Sequence, residues 1–166
     1  MNPSAEAPSG LAIFCFTVFL LVAAALQSAV AAHLSVFGGE PDFVLTLATA
    51  AALLSDASVG ALTGFAAGLV TASLVGQTVG TFLVSRTLAG WAAGWTTGRL
   101  YRGHAFVVVV GVFFATLVSH AVYLLGAPRI GLAHGLRASL LGALWNAVLA
   151  WPTMYCLRLC GWGGRR

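Results

Sequence analysis

The chain has 166 residues, of which 60% are apolar and 7% charged, and its eight basic residues outnumber its four acids to give a net charge of +4. Soluble domains carry about 25% charged residues, so this balance, with a mean hydropathy of +0.96, excludes a soluble enzyme and reads as an integral membrane protein. All eight basic residues are arginines spread over loops, one helix interior and the C-terminal tail, which is membrane-topology charge and not a nucleic-acid surface. At about 20 residues per crossing, a single polytopic domain over 1–166 holds five or six spans.

The N-terminal stretch 1–10 contains Glu6 and no basic residue, so it lacks the positive region of a signal peptide. The apolar run from Leu11 to about Leu34 is therefore read as a retained first span. Next comes Ser35-Val-Phe-Gly-Gly-Glu40-Pro-Asp42, where the Gly-Gly pair marks a loop and Pro41 marks a helix start. The runs Phe43 to Leu54 and Val59 to about Val75 are each short for a lone span. They are either two crossings joined by a tight turn at Asp56, or one crossing with a re-entrant or interfacial partner. A break at Gly76-Gln77-Thr-Val-Gly80 leads to a helix from Thr81 to about Thr97, closed by the basic cluster Arg99-Leu-Tyr-Arg102-Gly-His104. Ala105 to Leu125 forms the fifth run. A loop containing Arg129 precedes the last helix, from about Leu136 to Leu159, and 160–166 is a short basic tail.

This pattern predicts an all-α bundle of about six transmembrane helices. Short arginine-rich loops stay in the cytoplasm. With six spans, the Arg99/Arg102 loop and the Arg165/Arg166 tail share that side, and both termini are expected there.

Two ladders place a glycine at every fourth position: Gly60, Gly64 and Gly68 around Phe65, and Gly90, Gly94 and Gly98. In water each such glycine weakens a helix by about 1 kcal/mol relative to alanine, whereas in lipid it lets a neighbouring backbone come close. The ladders are helix-packing seams, used either inside the bundle or against a partner's transmembrane helix. Trp91, Trp95, Trp151, Tyr155 and Trp162 fit aromatic belts at the two interfaces.

Intramembrane polar residues are few. Arg86 lies within an apolar run, where a guanidinium costs about 2.5–3.5 kcal/mol even on the lenient insertion scale. It is either a ligand or partner contact, or it snorkels to the nearer surface past Gly80. His120 and Asn146 are read as interhelical hydrogen-bonding groups, and His33, His104 and His134 as solvated boundary residues. No segment interior holds an acid, which argues against an ion-coupled transporter and removes the paired carboxylates of an intramembrane protease. Ser119 and His120, adjacent on a helix, do not face each other, so no catalytic set is present. Cys15, Cys156 and Cys160 lie in or at the edge of apolar segments, against a disulfide framework; Cys156 and Cys160 share a helix face but have no histidine or third cysteine nearby for a metal site, and no cofactor is implied.

The order Pro41-Asp42-Phe43-Val-Leu45, Gly60-Ala-Leu-Thr-Gly64-Phe65-Ala-Ala-Gly68-Leu69, Gly76, Gly80 and Leu88-Ala-Gly90-Trp91-Ala-Ala-Gly94, with the late Asn146, resembles the bacterial rod shape-determining protein MreD family. The likeness runs from about Glu40 onward and is sharpest from Val59 to Gly94. It implies a non-enzymatic protein of the cytoplasmic (inner) membrane that works with MreC and the cell-wall elongation machinery, including RodA and a class B penicillin-binding protein. It also implies a fold like the six-helix substrate-binding subunits of energy-coupling-factor vitamin transporters. One departure stands out. The family often carries an aspartate shortly after the first ladder, where this chain reads Val70-Thr-Ala-Ser-Leu-Val-Gly76 without an acid. The competing function class, a substrate-binding subunit of such an importer, requires a polar pocket at the extracytoplasmic end. Gln77, Arg86, Glu40 and Arg129 are the candidates to build it.

Overall fold

A computed structural model describes residues 8–35, 38–76, 79–97, 104–126 and 132–163. Six α-helices follow one another: α1 (Gly10–Ala29), α2 (Phe43–Leu53), α3 (Ala57–Val75), α4 (Val79–Thr97), α5 (Ala105–Gly126) and α6 (Leu132–Leu159), with a 3-10 turn at Ala31–Leu34 after α1. The described residues contain no strand. Helices α1, α3 and α5, and α6 from Gly135 onward, are long and apolar enough to cross a membrane. The 19 residues of α4 match them in length.

The helix starts are written in side chains. Ser9 Oγ accepts the Ala12 amide at 3.2 Å, Asp42 Oδ1 that of Leu45 at 2.8 Å, and Asp56 Oδ1 that of Val59 at 2.8 Å, each satisfying an amide that has no partner within its helix. At the other end of α3, Gly76 adopts φ 69° and returns its amide to the Ala72 carbonyl, a left-handed stop that glycine takes without steric cost.

Helix α2 decides the architecture. Its 11 residues rise about 16 Å, roughly half of a hydrocarbon layer about 30 Å thick, and every residue from Val44 to Leu53 is buried. It packs against α1, α3, α4, α5 and α6, so it is enclosed on all sides. An apolar helix with no polar face belongs in such a place. The short second segment of the sequence is thus an enclosed half-length helix turned tightly into α3 at Leu54–Asp56. It is neither a full crossing nor an interfacial strip.

Helices α3 and α4 run antiparallel in contact along their whole length because the two glycine ladders face each other. A Cβ on Gly60 would overlap the Gly90 carbonyl oxygen, and one on Gly90 that of Gly60. Gly64 meets the Arg86 carbonyl and Gly94 that of Asp56, while a Cβ on Gly68 would lie 2.9 Å from Leu83 Cα. The five described ladder glycines therefore serve internal packing. Gly98 lies outside the described residues. Phe65 points away from the seam and is 46% exposed.

At the C-terminal end of α6, Gly161 (φ 78°) reverses the chain. The Trp162 amide donates to the Leu157 carbonyl at 3.0 Å and the Gly161 amide to that of Arg158 at 2.9 Å, the paired bonds of a Schellman stop. Trp162 is consequently folded under the bundle at 3% exposure. Its indole Nε1 donates to the Ala51 carbonyl at 2.9 Å, and its ring stacks on Phe16 at 5.1 Å. This corrects its placement in an aromatic belt: the glycine-driven reversal, invisible to hydropathy, makes it a plug beneath α2. Trp91, Trp95, Trp151 and Tyr155 are exposed, as a belt requires.

Candidate functional site

The N-terminus of α2 lies inside the bundle, about 10 Å below the nearer end of α4, since Arg86 stands seven residues into that helix. Backbone donors ending at such a depth have no water to bond, so side chains must supply their partners. They come from every surrounding helix. From α1, Gln27 Oε1 accepts the Phe43 amide at 2.9 Å and Gln27 Nε2 donates to the Pro41 carbonyl at 3.2 Å. From α6, Asn146 Oδ1 accepts the Asp42 amide at 2.8 Å, and its Nδ2 donates to Thr116 Oγ1 on α5 at 3.2 Å. From α4, Arg86 donates through its guanidinium to Asp42 Oδ2 and through Nε to Thr71 Oγ1 on α3 at 3.0 Å. One short segment, Pro41–Phe43, thereby ties all six helices together.

The ion pair is sequestered, with the Arg86 and Asp42 side chains 5% and 14% exposed. Arg86 also lies over the Phe82 ring, 5.1 Å from its centroid, which adds a cation–π contribution. The positive end of α2 further favours the Asp42 carboxylate. Arg86 is thus a buried counter-ion, which overturns the snorkelling alternative: the nearer surface lies within its reach, but the acid beside it is closer. The inference that no acid stands inside the membrane region is corrected as well. Asp42 sits in a segment that reads as an external loop, yet the short α2 carries it inward. Its carboxylate is engaged on both oxygens, by the Leu45 amide and by Arg86, so it is a structural charge.

Asn146 is fully buried and bonds between helices as expected. His120 makes none of the hub's bonds. It stands four residues beyond Thr116 on α5, and its Nδ1 is buried without a hydrogen-bond partner, as is the Oγ of the preceding residue, Ser119. Of the four candidates for a ligand pocket, Arg86 is held by Asp42, Glu40 lines a small cavity near His120, and Gln77 and Arg129 lie outside the described residues. His33 and His104 are exposed; the side chain of His134 is outside the described set. The sequence reading missed Asp42, Gln27, Thr71 and Thr116. The legible signal was Pro41-Asp42 before an apolar run, the signature of a capped helix start, paired with an otherwise unexplained intramembrane arginine.

Among the described residues, no group of three or more His, Cys, Asp or Glu side chains is placed to hold a metal ion. The hub's hydrogen bonds join neighbouring helices, the arrangement of a structural clamp. Compared with models of protein families, the chain matches that of the rod shape-determining protein MreD over residues 9–159. The chain belongs to the MreD family. The match spans all six helices, and with it comes a role in determining cell shape, in a family of structural membrane proteins. The acid-free stretch after the first glycine ladder supplies Thr71 to Arg86, and the acid that meets the guanidinium comes from Asp42. Comparison with curated proteins and with solved structures returns no match.

Proposed function

We propose that this protein is a non-enzymatic, multi-pass scaffold of the bacterial cell-wall elongation machinery. It binds an MreC-like partner in the inner membrane and, through that partner, a RodA-like glycosyltransferase and a class B penicillin-binding protein. The observation that carries this reading is the family match over nearly the whole chain. The physical character of the bundle agrees with it, since the hub side chains tie the helices to one another. The arrangement proposed with it is that of energy-coupling-factor substrate-binding subunits, supported by the count of six helices.

Because the glycine ladders close on each other, the partner is assigned to the lipid-facing side of the α3–α4 pair. There Leu62, Phe65 and Leu69 on α3 and Leu88, Trp91 and Trp95 on α4 are exposed. The orientation proposed with it has both termini in the cytoplasm, a reading supported by the six helices in succession and by the retention of arginine-rich short loops such as that with Arg99 and Arg102 on the inside.

The test is affinity purification of the tagged protein from its native membrane in mild detergent, with mass spectrometry of what accompanies it. Recovery of MreC-like and RodA-like proteins supports the scaffold. Recovery of an ATPase pair with a coupling membrane subunit in their place contradicts it.

A further inference from the structure

Beside the hub, where the end of α5 meets the start of α6, lies a cavity of about 210 Å³ lined among others by Glu40, His120, Tyr123 and Ser139. The hub uses none of these side chains. The volume is below the roughly 300–1,000 Å³ of sites for drug-sized ligands, so the cavity admits a few waters or one small chemical group. One of the lining residues, His120, carries a buried polar atom, Nδ1, that has no hydrogen-bond partner. Buried polar atoms are paired in the great majority of cases, with protein, water or ligand, and a membrane-embedded bundle makes an orphan costlier.

The polar character of the lining selects the ligand. Glu40 contributes a carboxylate, which only accepts hydrogen bonds. Ser139 Oγ donates its proton to the Gly135 carbonyl at 2.8 Å, leaving its lone pairs to accept. Tyr123 is fixed against Phe82, ring centroids 4.9 Å apart, and adds an aromatic wall. Among the described residues that line the cavity, Glu40 carries the formal charge, and Arg137, next to Ala138 on α6, does not line it. An acceptor-rich, negatively charged recess with an aromatic wall complements a group carrying several donors and a positive charge. An ammonium has three donors and no acceptor, and it is attracted to aromatic faces.

We propose that this cavity binds a primary ammonium group, presented either by a small soluble amine or by the headgroup of an aminophospholipid. The proposal stands independently of the scaffold reading, because its test uses the purified chain alone. The full chain is placed in nanodiscs of phosphatidylcholine and its thermal unfolding followed against n-butylammonium chloride, with n-butanol and sodium chloride as controls. A saturable rise in Tm with the amine, absent with both controls, is expected. Glu40 is exposed, so Glu40→Gln leaves the fold intact and is expected to weaken the apparent affinity about tenfold or more, the usual loss when a charged hydrogen-bond partner is neutralised. Ala138→Leu, which fills the cavity, is expected to abolish the response.

A second arm replaces part of the lipid with phosphatidylethanolamine. A Tm already raised, with no further response to the amine, identifies the headgroup as the source. An unchanged Tm with the amine response retained identifies a soluble amine. Absence of a saturable rise in both arms, or a Glu40→Gln protein that responds like the wild type, overturns the proposal.

Discussion

Asp42 and Arg86, 44 positions apart in the chain, form an ion pair inside the helix bundle at the N-terminus of the enclosed helix α2. Removing one member of such a pair leaves the other charge buried without compensation, at a cost of about 3–5 kcal/mol. Asp42→Asn keeps an oxygen for the Leu45 amide and so isolates the charge. Asp42→Asn and Arg86→Met are each expected to lower stability by that amount, and the double variant to lose clearly less than the two together. A double-mutant cycle on reversible unfolding in mixed micelles measures this; strictly additive losses would show that the pair is not coupled.

The glycine seam makes a sharper contrast. Gly60→Leu or Gly90→Leu drives a side chain into the facing carbonyl and is expected to cost more than about 4 kcal/mol, the range of severe core overpacking. Gly80 lies on the same helix as Gly90 with nothing within 4 Å of a built Cβ, so Gly80→Ala is expected to be neutral or slightly stabilising. Size-exclusion profiles and Tm of the three variants decide it, and equal damage from all three would refute the facing-ladder packing.

Most of the helical content was legible in the sequence because apolar runs, glycine breaks and capping residues are local signals. The six segments correspond to six helices, with starts shifted by a few residues. The ladders were recognisable as seams, but a repeat of small residues carries no record of its partner, and only the fold shows Gly60 against Gly90. The hub was not legible. Hydropathy assigns Asp42 to a loop because it cannot register that an 11-residue helix reaches only half-way across and leaves its cap at depth. Gln27, Thr71 and Thr116 are ordinary polar residues until helices bring them to that cap. Trp162 escaped for a related reason, since its burial follows from a left-handed glycine and not from its own segment.

Trp162 plugs the bundle beneath α2. Its replacement by alanine is expected to cost about 3–5 kcal/mol, as for other buried tryptophans, while Trp162→Phe, which keeps the ring contact with Phe16 and loses the bond to the Ala51 carbonyl, is expected to cost about 1 kcal/mol. Thermal unfolding of both variants checks the order. An alanine variant as stable as the wild type would exclude the plug.

Gln27 and Asn146 each satisfy a backbone amide at the entrance to α2. Gln27→Ala and Asn146→Ala are each expected to cost about 1–3 kcal/mol, the penalty for leaving a buried group unpaired. Hydrogen exchange adds a readout specific to the hub: the amides of Phe43 and Asp42 respectively should lose protection first. Unaltered exchange at those amides would contradict the assigned bonds.

Phe65 separates stability from recognition. It is exposed on the face of α3 away from the seam, so Phe65→Ala is expected to change stability by less than about 0.5 kcal/mol and, under the proposed function, to reduce recovery of the MreC-like partner. Full recovery with Phe65→Ala would move the partner to another face.

The scaffold role in wall elongation is tested most directly by depleting the protein in its native cells while cell width and the sites of new peptidoglycan insertion are imaged with a fluorescent wall precursor. Widening cells and dispersed insertion are expected, restored by the wild-type chain and not by Gly60→Leu. Unchanged width and an unchanged insertion pattern after complete depletion would contradict it.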